Sequence, residues 1–551
     1  MKTKSPRPSL EEIRKSAEGL LTDENPAAAL DYLMSALSSV LQQNQQLEQL
    51  LAKLERAQIG RRSERIDPRQ LALLFEELCK QSAAQAAAAP AAVPDAAAAN
   101  ATDGEINREI EDARQDERET RKKQATKKGS RVKVRNVHQV HHQQEVAEAD
   151  RHCAGCGKPK RKIGEELTRI LDFEPARFVE NLYHRDKLAC GNCKDEVTTA
   201  PGPNRVLPRS DAGPALLAHI VVSKHADHCP LHRLHRIHKR EGVYLPVSTM
   251  CDWTGGVAER VRAIVDHIAA GKNDAHIIGT DATGLRVLDP DSPANIVRGT
   301  IWCYVLDGLD VVLRYAPRGD GKSGPWEFLA GRTGYVQADG SSVFDRLFNG
   351  QVASAIECGC WSHARRPLEE LKDVDCRTAW PLRLIARLFR IEELADLRHL
   401  DHEQRKQMRA ERSAPTLDQI AQWVNFIRQT EPPGSSLAKA ANYLHNQWRA
   451  LTRFLDDGRL RLDNNIVEQQ LRDVALGRKN FLFAGSHEAA GRAAVLYSLT
   501  RTCALRKIPP QRYLADVLRK LADGWPQERI GELVPARWAE LHRAELDADQ
   551  R

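Results

Sequence analysis

Two close pairs of cysteines have the residue type and spacing of metal ligands. Each pair has two residues between its sulfurs, and 33 residues separate the pairs, which are Cys153 with Cys156 and Cys190 with Cys193. Two such cysteine pairs supply the four thiolates that a tetrahedral structural zinc requires. A redox dithiol is the alternative, but a redox motif needs only one pair. The spacing therefore predicts a zinc-ribbon-like module.

A second group of candidate ligands is acidic. Asp281 lies between Thr280 and Ala282 in a predicted strand, where a purely structural sequence favours Val or Ile. An acidic side chain in an apolar strand is costly unless it is paired, solvated or bound to a cation. Asp339 ends another apolar run, although an Asp before a glycine such as Gly340 is also common in turns.

The third acidic candidate, Glu468, lies near the start of a predicted helix. If Asn465 caps this helix, Glu468 is the N3 residue of a capping box, and this structural role would explain the glutamate without a catalytic one. The same helix has an apolar stripe that is predicted to face the core, formed by Val467, Leu471 and Val474. The cations beyond Glu468 are predicted to contact DNA phosphates, and they are Arg472, Arg478 and Lys479.

Three carboxylates at one site would repel one another unless divalent cations neutralise them. Two Mg²⁺ ions, or Mn²⁺, about 3.5–4 Å apart would do so. They would also polarise the entering and leaving oxygens of a phosphodiester, without a covalent enzyme intermediate. We therefore expect Asp281, Asp339 and Glu468 to be both catalytic residues and magnesium ligands.

The elements that must position these residues form an α/β pattern. The run "HIIGTDATGLRVLD" predicts a strand or a hairpin, and "IWCYVLDGLDVVLRY" predicts two strands joined at Asp307-Gly308. The runs "TGYVQADG" and "VASAIECGCW" predict two further strands with a helix over residues 341–348 between them, and residues 367–455 have a helical period. This order is expected of a ribonuclease-H-like catalytic core with an all-helical insertion.

The N-terminal region has a different texture. Apolar residues alternate in steps of four and three between Leu33 and Leu54, with Asn44 at the one polar core position, which predicts a coiled-coil dimer or an amphipathic helix that packs on its own chain. The Ala-rich stretch after Ser82 indicates a linker, and residues 103–144 are expected to be disordered or to fold only on a partner. Arg121–Gln144 contains eight Lys or Arg and no Asp or Glu, which favours phosphate backbones or a solvated linker.

Between the zinc module and the core, the sequence predicts two helices followed by a third that Ser248 caps, an order that resembles a helix-turn-helix. His225, His228, His232 and His235 are predicted to share one helical stripe, and a polar face is favoured over a metal site.

The domain boundaries that we predict are 1–81 (helical dimerisation region), 82–144 (linker), 145–200 (zinc module), 201–272 (helical, DNA-binding), 273–360 (first part of the core), 361–455 (helical insertion), 456–495 (last part of the core) and 496–551 (helical tail).

Composition limits the cellular context. The chain has 551 residues, which is too long for a single hydrophobic core, and its formal net charge is +7. No run approaches the roughly 18 apolar residues of a membrane span, and the first residues lack the apolar part of a signal peptide. We therefore expect a cytoplasmic protein, associated with the nucleoid, that does not contact membranes.

Several long motifs resemble the insertion sequence 66 family of DDE transposases, of the TnpC type. They include "CAGCGK", "SKHADHCPLHR", "GYVQADG", "CWSHARR", "FLDDGRLRLDNNIVEQQLR" and "ALGRKNFLFAGS", in one order along nearly the whole chain. The resemblance implies a catalytic triad at Asp281, Asp339 and Glu468. Within "CWSHARR" we expect Arg365 and Arg366 to face DNA.

The resemblance also implies a function. It implies cleavage at terminal inverted repeats, joining of the 3′ ends to target DNA, a homodimer or a higher synaptic assembly, and companion proteins from the same element. A DNA-binding regulatory protein that has lost catalysis is the first alternative, and a structure-selective nuclease is the second.

Overall fold

The computed structural model describes residues 96–124, 178–184, 187–189, 197–199 and 201–550. The predicted coiled coil between Leu33 and Leu54 lies outside these ranges. The strands are β1 (Lys187–Ala189), β2 (Val197–Thr199), β3 (Ile277–Leu288), β4 (Ile296–Leu306), β5 (Asp310–Ala316), β6 (Tyr335–Gln337) and β7 (Ile356–Cys358).

The first helices are α1 (Ala96–Gln124), α2 (Pro214–His225), α3 (Leu231–Arg240), α4 (Val247–Ala270), α5 (Pro325–Phe328), α6 (Asp345–Phe348), α7 (Trp361–Leu371), α8 (Ala379–Leu397) and α9 (His402–Met408). They are followed by α10 (Ala414–Thr430), α11 (Ser436–Asn446), α12 (Trp448–Thr452), α13 (Asn465–Phe481), α14 (His487–Leu505), α15 (Pro510–Ala522), α16 (Pro535–Leu541) and α17 (Arg543–Gln550). The described chain is therefore mixed α/β. Within the described ranges, none of these helices combines the length and apolar composition that a bilayer crossing demands.

The described residues belong to two compact units. One contains those of Met1–Thr120 and Leu329–Ile466, and we call it the insertion unit because the whole predicted helical insertion lies in it. The other contains those of Arg121–Phe328 and Val467–Arg551, and we call it the meander unit after its three antiparallel strands.

Strands β3, β4 and β5 of the meander unit pair in sequence order, all antiparallel. Asp307, Gly308 and Leu309 join β4 to β5, and the first two have φ angles of 47° and 71°, the two positive values of a tight hairpin turn. The Asp307 carboxylate also accepts hydrogen bonds from the backbone N–H groups of His276 and Ile277, at 3.2 and 2.9 Å. The predicted hairpin is confirmed, and its turn also holds the start of β3.

Helix α14 covers the outer edge of β5. The hydroxyls of Ser498 and Thr502 accept hydrogen bonds from the backbone N–H groups of Leu313 and Val311, at 2.8 and 2.9 Å. Both hydroxyl residues are buried. They satisfy strand donors that would otherwise be unpaired at an exposed edge, so the meander is closed on this side by side chains.

In the insertion unit, β6 and β7 form a parallel pair, with Tyr335 opposite Ile356 and Gln337 opposite Cys358. A short 3₁₀ helix (Ser342–Phe344) and α6 lie between them in the chain, which confirms the predicted strand, helix and strand. The helices α7 to α12 follow, also as predicted. Trp361 is completely buried, and its indole N–H donates to the carbonyl of Leu451 at 2.8 Å, which ties α7 to α12.

Residues 96–124 are helical, so the prediction of linker and disorder is wrong for this segment. Ile106 and Ile110, one turn apart, are buried in a cluster with Ile391, Leu394 and other residues of α8 and α9. The partner on which this segment folds is therefore the helical insertion of its own chain. Local sequence did not indicate it, because the apolar stripe is narrow and its partners lie far along the chain.

The predicted Ser248 cap is wrong, and the alternative in which Asn465 caps its helix is not observed. Helix α4 begins at Val247 with Pro246 at its N-cap position, so Ser248 is inside the helix and caps nothing. Helix α13 contains Asn465 as its first residue, so Glu468 stands one position later than a capping box requires.

Candidate functional site

Asp281 is the fifth residue of β3, in the meander unit, and is partly exposed, as are most residues of this strand. It lies opposite Cys303 of β4 in the antiparallel register, and one carboxylate oxygen accepts the N–H of Ala282 at 2.7 Å. Burial and then the charge of Asp281 raise the pKa of the Cys303 thiol well above its usual value. The thiol therefore stays protonated and neutral behind the carboxylate.

Glu468 lies near the start of α13, in the same unit. The predicted stripe of Val467, Leu471 and Val474 is buried, and it holds this helix against the core. Ten residues after Glu468, the guanidinium of Arg478 donates to the hydroxyl of Thr283 at 3.2 Å and to the carbonyl of Gly284. The contact joins α13 to β3 just after Asp281.

The chain beyond α13 continues along β3. Ala484 donates its N–H to the carbonyl of Arg286 at 2.8 Å and accepts the N–H of Leu288 at 2.9 Å, which makes a parallel bridge to Val287. From Arg478 to Ala484 the chain thus advances in the direction of β3.

A partly buried arginine contacts α13 on the side of α14. Arg501 of α14 donates to the side-chain oxygen of Gln470 at 2.9 Å and forms an ion pair with Asp473. Asp473 also lies 3.7 Å from the ring of His228, in the loop between α2 and α3. Burial and then the charge of Arg501 lower the pKa of His228, so that ring is neutral at neutral pH. These contacts fix α13 relative to α14 and to the loop.

Asp339 lies in the insertion unit, two residues beyond the end of β6, and is partly exposed. Gln337 anchors this end of the strand. Its amide is buried and donates to the carbonyls of Gly359 and Arg461, at 3.1 and 2.8 Å. The structure therefore places Asp281 and Glu468 in the meander unit and holds Asp339 firmly at a strand end in the insertion unit.

The five arginines and lysines predicted to contact DNA differ in their surroundings. Arg472 and Lys479 are exposed on α13 and form no ion pair with any described residue, whereas Arg478 is bonded to β3. On α7, Arg365 pairs with Glu369 at 3.0 Å. Arg366 is exposed and forms no ion pair within the described ranges. Arg472, Lys479 and Arg366 are thus the three that remain available to a phosphate.

Helix α3 carries a cationic face that the sequence analysis did not select. Leu231, Leu234 and His238 are its buried side, packed in part against Ile220 and Met250. The opposite side has four exposed cations without an ion pair to any residue that the structure describes, and we call it the α3 cationic face: Arg233, Arg236, Lys239 and Arg240. The signal was present in "LHRLHRIHKR", where apolar residues recur every three residues and cations fill the other side.

The four histidines that were predicted to form one stripe do not share a helix. His225 ends α2 and is buried, while His228 lies in the following loop with a φ of 55°. His232 and His235 belong to α3. The loop breaks the helical period, so the predicted common face does not exist.

The four predicted zinc ligands, Cys153, Cys156, Cys190 and Cys193, lie outside the described residues. The strands on either side of the second pair are described: β1 and β2 are antiparallel, with Ala189 opposite Val197. The segment that carries Cys190 and Cys193 therefore begins and ends at two paired strand ends.

Comparison with known protein families identifies the class of this protein as transposase. Residues 209–492 match the model described as "Transposase IS66 family", and residues 498–536 match "IS66 C-terminal element". Residues 150–194, which include all four predicted zinc ligands, match "zinc-finger binding domain of transposase IS66". The chain belongs to the IS66 family of transposases.

Three relatives from Sinorhizobium fredii (strain NBRC 101917 / NGR234) are similar over most of the chain. The protein y4hP is 33% identical over 417 residues, which cover 71% of this chain and 74% of the relative. The proteins y4qI and y4jD are each 31% identical, over 71% and 70% of this chain and 75% and 78% of their own lengths. All three are described as uncharacterized, so they extend the family without adding a function.

Proposed function

We propose that the chain cuts and joins DNA strands at the ends of an insertion sequence, with Asp281, Asp339 and Glu468 as the catalytic carboxylates of a ribonuclease-H-like core. The observation that carries the proposal is the family match, because the transposase region of residues 209–492 contains all three residues. Carboxylate oxygens are the hard ligands that Mg²⁺ and Mn²⁺ prefer, so the donor set fits the expected metal.

The geometry within the meander unit supports the pairing of Asp281 with Glu468. Glu468 precedes Arg478 by ten residues, or about 15 Å of helix. Asp281 precedes Thr283, which Arg478 contacts, by two residues, or about 7 Å of strand. Along its own element, each carboxylate is therefore no more than about 15 Å from the Arg478–Thr283 contact, which supports assigning both to one site.

In this proposal the carboxylates orient the reacting groups and the cations hold the DNA. Bound Mg²⁺ supplies charge neutralisation and polarises the attacking and leaving oxygens. Arg472 and Lys479 on α13 and Arg366 on α7 hold phosphates near the carboxylates, while Arg478 keeps α13 on β3. No side chain becomes covalently attached to DNA, which separates this chemistry from recombinases that use Tyr or Ser.

DNA is held by parts of the chain outside the core. The zinc-finger region of residues 150–194, with zinc on its four cysteines, and the α3 cationic face both bind the terminal inverted repeats. A helix that presents four free cations on one side fits the spacing of phosphates along a groove. Two copies of the chain associate through residues 33–54. Further copies or companion proteins join when the two element ends are brought together. The protein acts on DNA of the nucleoid.

Strand cleavage in the presence of Mg²⁺ tests the catalytic part of the proposal. Asp281→Asn, Asp339→Asn and Glu468→Gln should each abolish nicking of linear DNA with the element ends, while end binding is retained. Matched controls are Asp291→Asn and Glu488→Gln, since both residues are exposed and lie outside the proposed site. Full cleavage by one of the three site variants removes that residue from the site.

The same assay separates the alternatives. Tight binding of the ends by the wild-type chain without any nicking would favour a regulatory protein that has lost catalysis. Cleavage of branched DNA regardless of the terminal sequence would favour a structure-selective nuclease.

A further inference from the structure

Tyr443 is presented to Asp339 by the helical insertion. It lies on α11, which is capped by Ser435, whose hydroxyl accepts the N–H of Ala438 at 3.0 Å. The neighbouring residues Leu437, Ala440, Ala441 and Leu444 are buried and orient the helix. Tyr443 itself is half-buried, at the border between this packed side and solvent.

The hydroxyl of Tyr443 lies against the residue that follows Asp339. A Cβ atom placed on Gly340 would be 3.0 Å from this hydroxyl and 3.1 Å from the side-chain amide of Gln447. A glycine at 340 therefore lets the phenol approach the backbone closely. The Asp339-Gly340 turn, the phenol and the amide are all in the insertion unit, so their proximity is a property of that unit alone.

The charges around the phenol fit a hydrogen-bond donor. Burial and then the negative charge of Asp339 raise the pKa of Tyr443 to about 12, whereas the positive charge of Arg366 opposes this effect. The phenol is therefore protonated at neutral pH. The charge of Arg366 acts on the same phenol, so a neutral donor lies against the Asp339-Gly340 turn and a cation acts on that donor.

Both donors are available among the residues that the structure describes. The Tyr443 hydroxyl makes no hydrogen bond, and Arg366 makes no ion pair, with any residue that the structure describes. The neighbouring Arg365, in contrast, pairs with Glu369. A phenol donor at the turn that follows a proposed catalytic carboxylate, together with an exposed arginine that acts on it, matches a non-bridging phosphate oxygen, which accepts hydrogen bonds from both kinds of donor.

We infer that Tyr443 contacts the substrate: its hydroxyl donates a hydrogen bond to a non-bridging oxygen of the scissile phosphate, alongside Arg366. The helical insertion thus contributes a side chain to the reaction. This inference rests on the proposed function, because it takes Asp339 to be a catalytic carboxylate. It adds a residue that is not acidic and that lies more than a hundred positions from Asp339.

The test is the single-turnover nicking rate of the full-length Tyr443→Phe variant with saturating element-end DNA and Mg²⁺. Loss of a hydrogen bond to a charged group lowers the rate by about 10- to 100-fold. DNA affinity should be unchanged. Tyr335→Phe, a hydroxyl deletion in β6 of the same unit, is the matched control and should cleave at the wild-type rate.

A second measurement distinguishes contact from a structural effect. Sulfur replaces each non-bridging oxygen of the scissile phosphate in turn, and wild-type and Tyr443→Phe rates are compared. If the hydroxyl contacts one oxygen, sulfur at that position slows the wild type more than the variant. Equal sulfur effects in both proteins, or a wild-type rate for Tyr443→Phe, would overturn the inference.

Asp339→Asn, measured in parallel, separates the two claims. If Asp339→Asn is inactive and Tyr443→Phe cleaves normally, only the role of Tyr443 is wrong. If Asp339→Asn cleaves normally, the proposed function itself is wrong, and the inference about Tyr443 is overturned with it.

Discussion

Replacing Asp103 should release α1 from the helical insertion. Its carboxylate accepts from Arg387 at 2.6 Å, lies 3.2 Å from Arg390 and also pairs with Arg383. The Asp103 and Arg387 side chains are only 10% and 4% exposed. Loss of one partner of a buried ion pair costs about 3–5 kcal/mol, because the other charge remains buried without compensation. In the Asp103→Asn variant, α1 should therefore detach from the insertion helices about 100- to 5,000-fold more often.

The effect should depend on pH in a defined direction. Burial alone would raise the pKa of Asp103, but the hydrogen bonds from Arg387 and Arg383, together with the charges of Arg387 and Arg390, outweigh burial and hold the pKa below its usual value. A carboxyl group with a lowered pKa in the folded state stabilises the fold above its unfolded value of about 3.9. This contribution disappears as pH falls through the lowered value. At such low pH, α1 should be held on the insertion helices equally weakly in the wild type and in Asp103→Asn.

Hydrogen–deuterium exchange, read by mass spectrometry on peptides from residues 102–120 and from α8, measures this opening in the full chain. Asp112→Asn is the matched control, since Asp112 is exposed on the same helix and forms no ion pair with a described residue. Its exchange should equal that of the wild type. If these peptides exchange at the wild-type rate in Asp103→Asn at neutral pH, the conclusion that this ion-pair cluster holds α1 is refuted.

Two further predictions concern the DNA-binding parts. Cys190→Ser combined with Cys193→Ser should remove the bound zinc that metal analysis finds in the wild-type protein, and unchanged zinc content would contradict the four-cysteine site. Arg233→Gln combined with Arg236→Gln should weaken binding to all DNA sequences and reduce the slope of log affinity against log salt by about 1.8, whereas an unchanged slope would exclude the α3 cationic face from DNA contact.

The parts of the fold that sequence predicted correctly depend on local rules. Asp307 and Gly308 can both adopt positive φ, so their order between two apolar runs was enough to predict the hairpin. The buried stripe of α13 followed from spacing alone, since Val467, Leu471 and Val474 recur at helical intervals.

The parts that sequence missed depend on distant partners. Helix α1 is stabilised by Asp103 with arginines about 280 positions away, a contact that local composition cannot indicate. Arg478 looked like a phosphate ligand because of its charge, but in the fold its guanidinium reaches Thr283 of β3. Tyr443 carried no signal in the sequence, because its importance arises only from its approach to Gly340.

The central claim is that Asp281, Asp339 and Glu468 hold the same metal ions. Fe²⁺ binds carboxylate sites of this kind, and with ascorbate and peroxide it releases hydroxyl radicals that cut the nearby backbone. We predict cuts in three separate segments, around residues 281, 339 and 468, that compete with Mg²⁺ and disappear together in Asp281→Asn. Cuts around residue 339 that persist in Asp281→Asn, or no cuts around residue 468, would contradict the account.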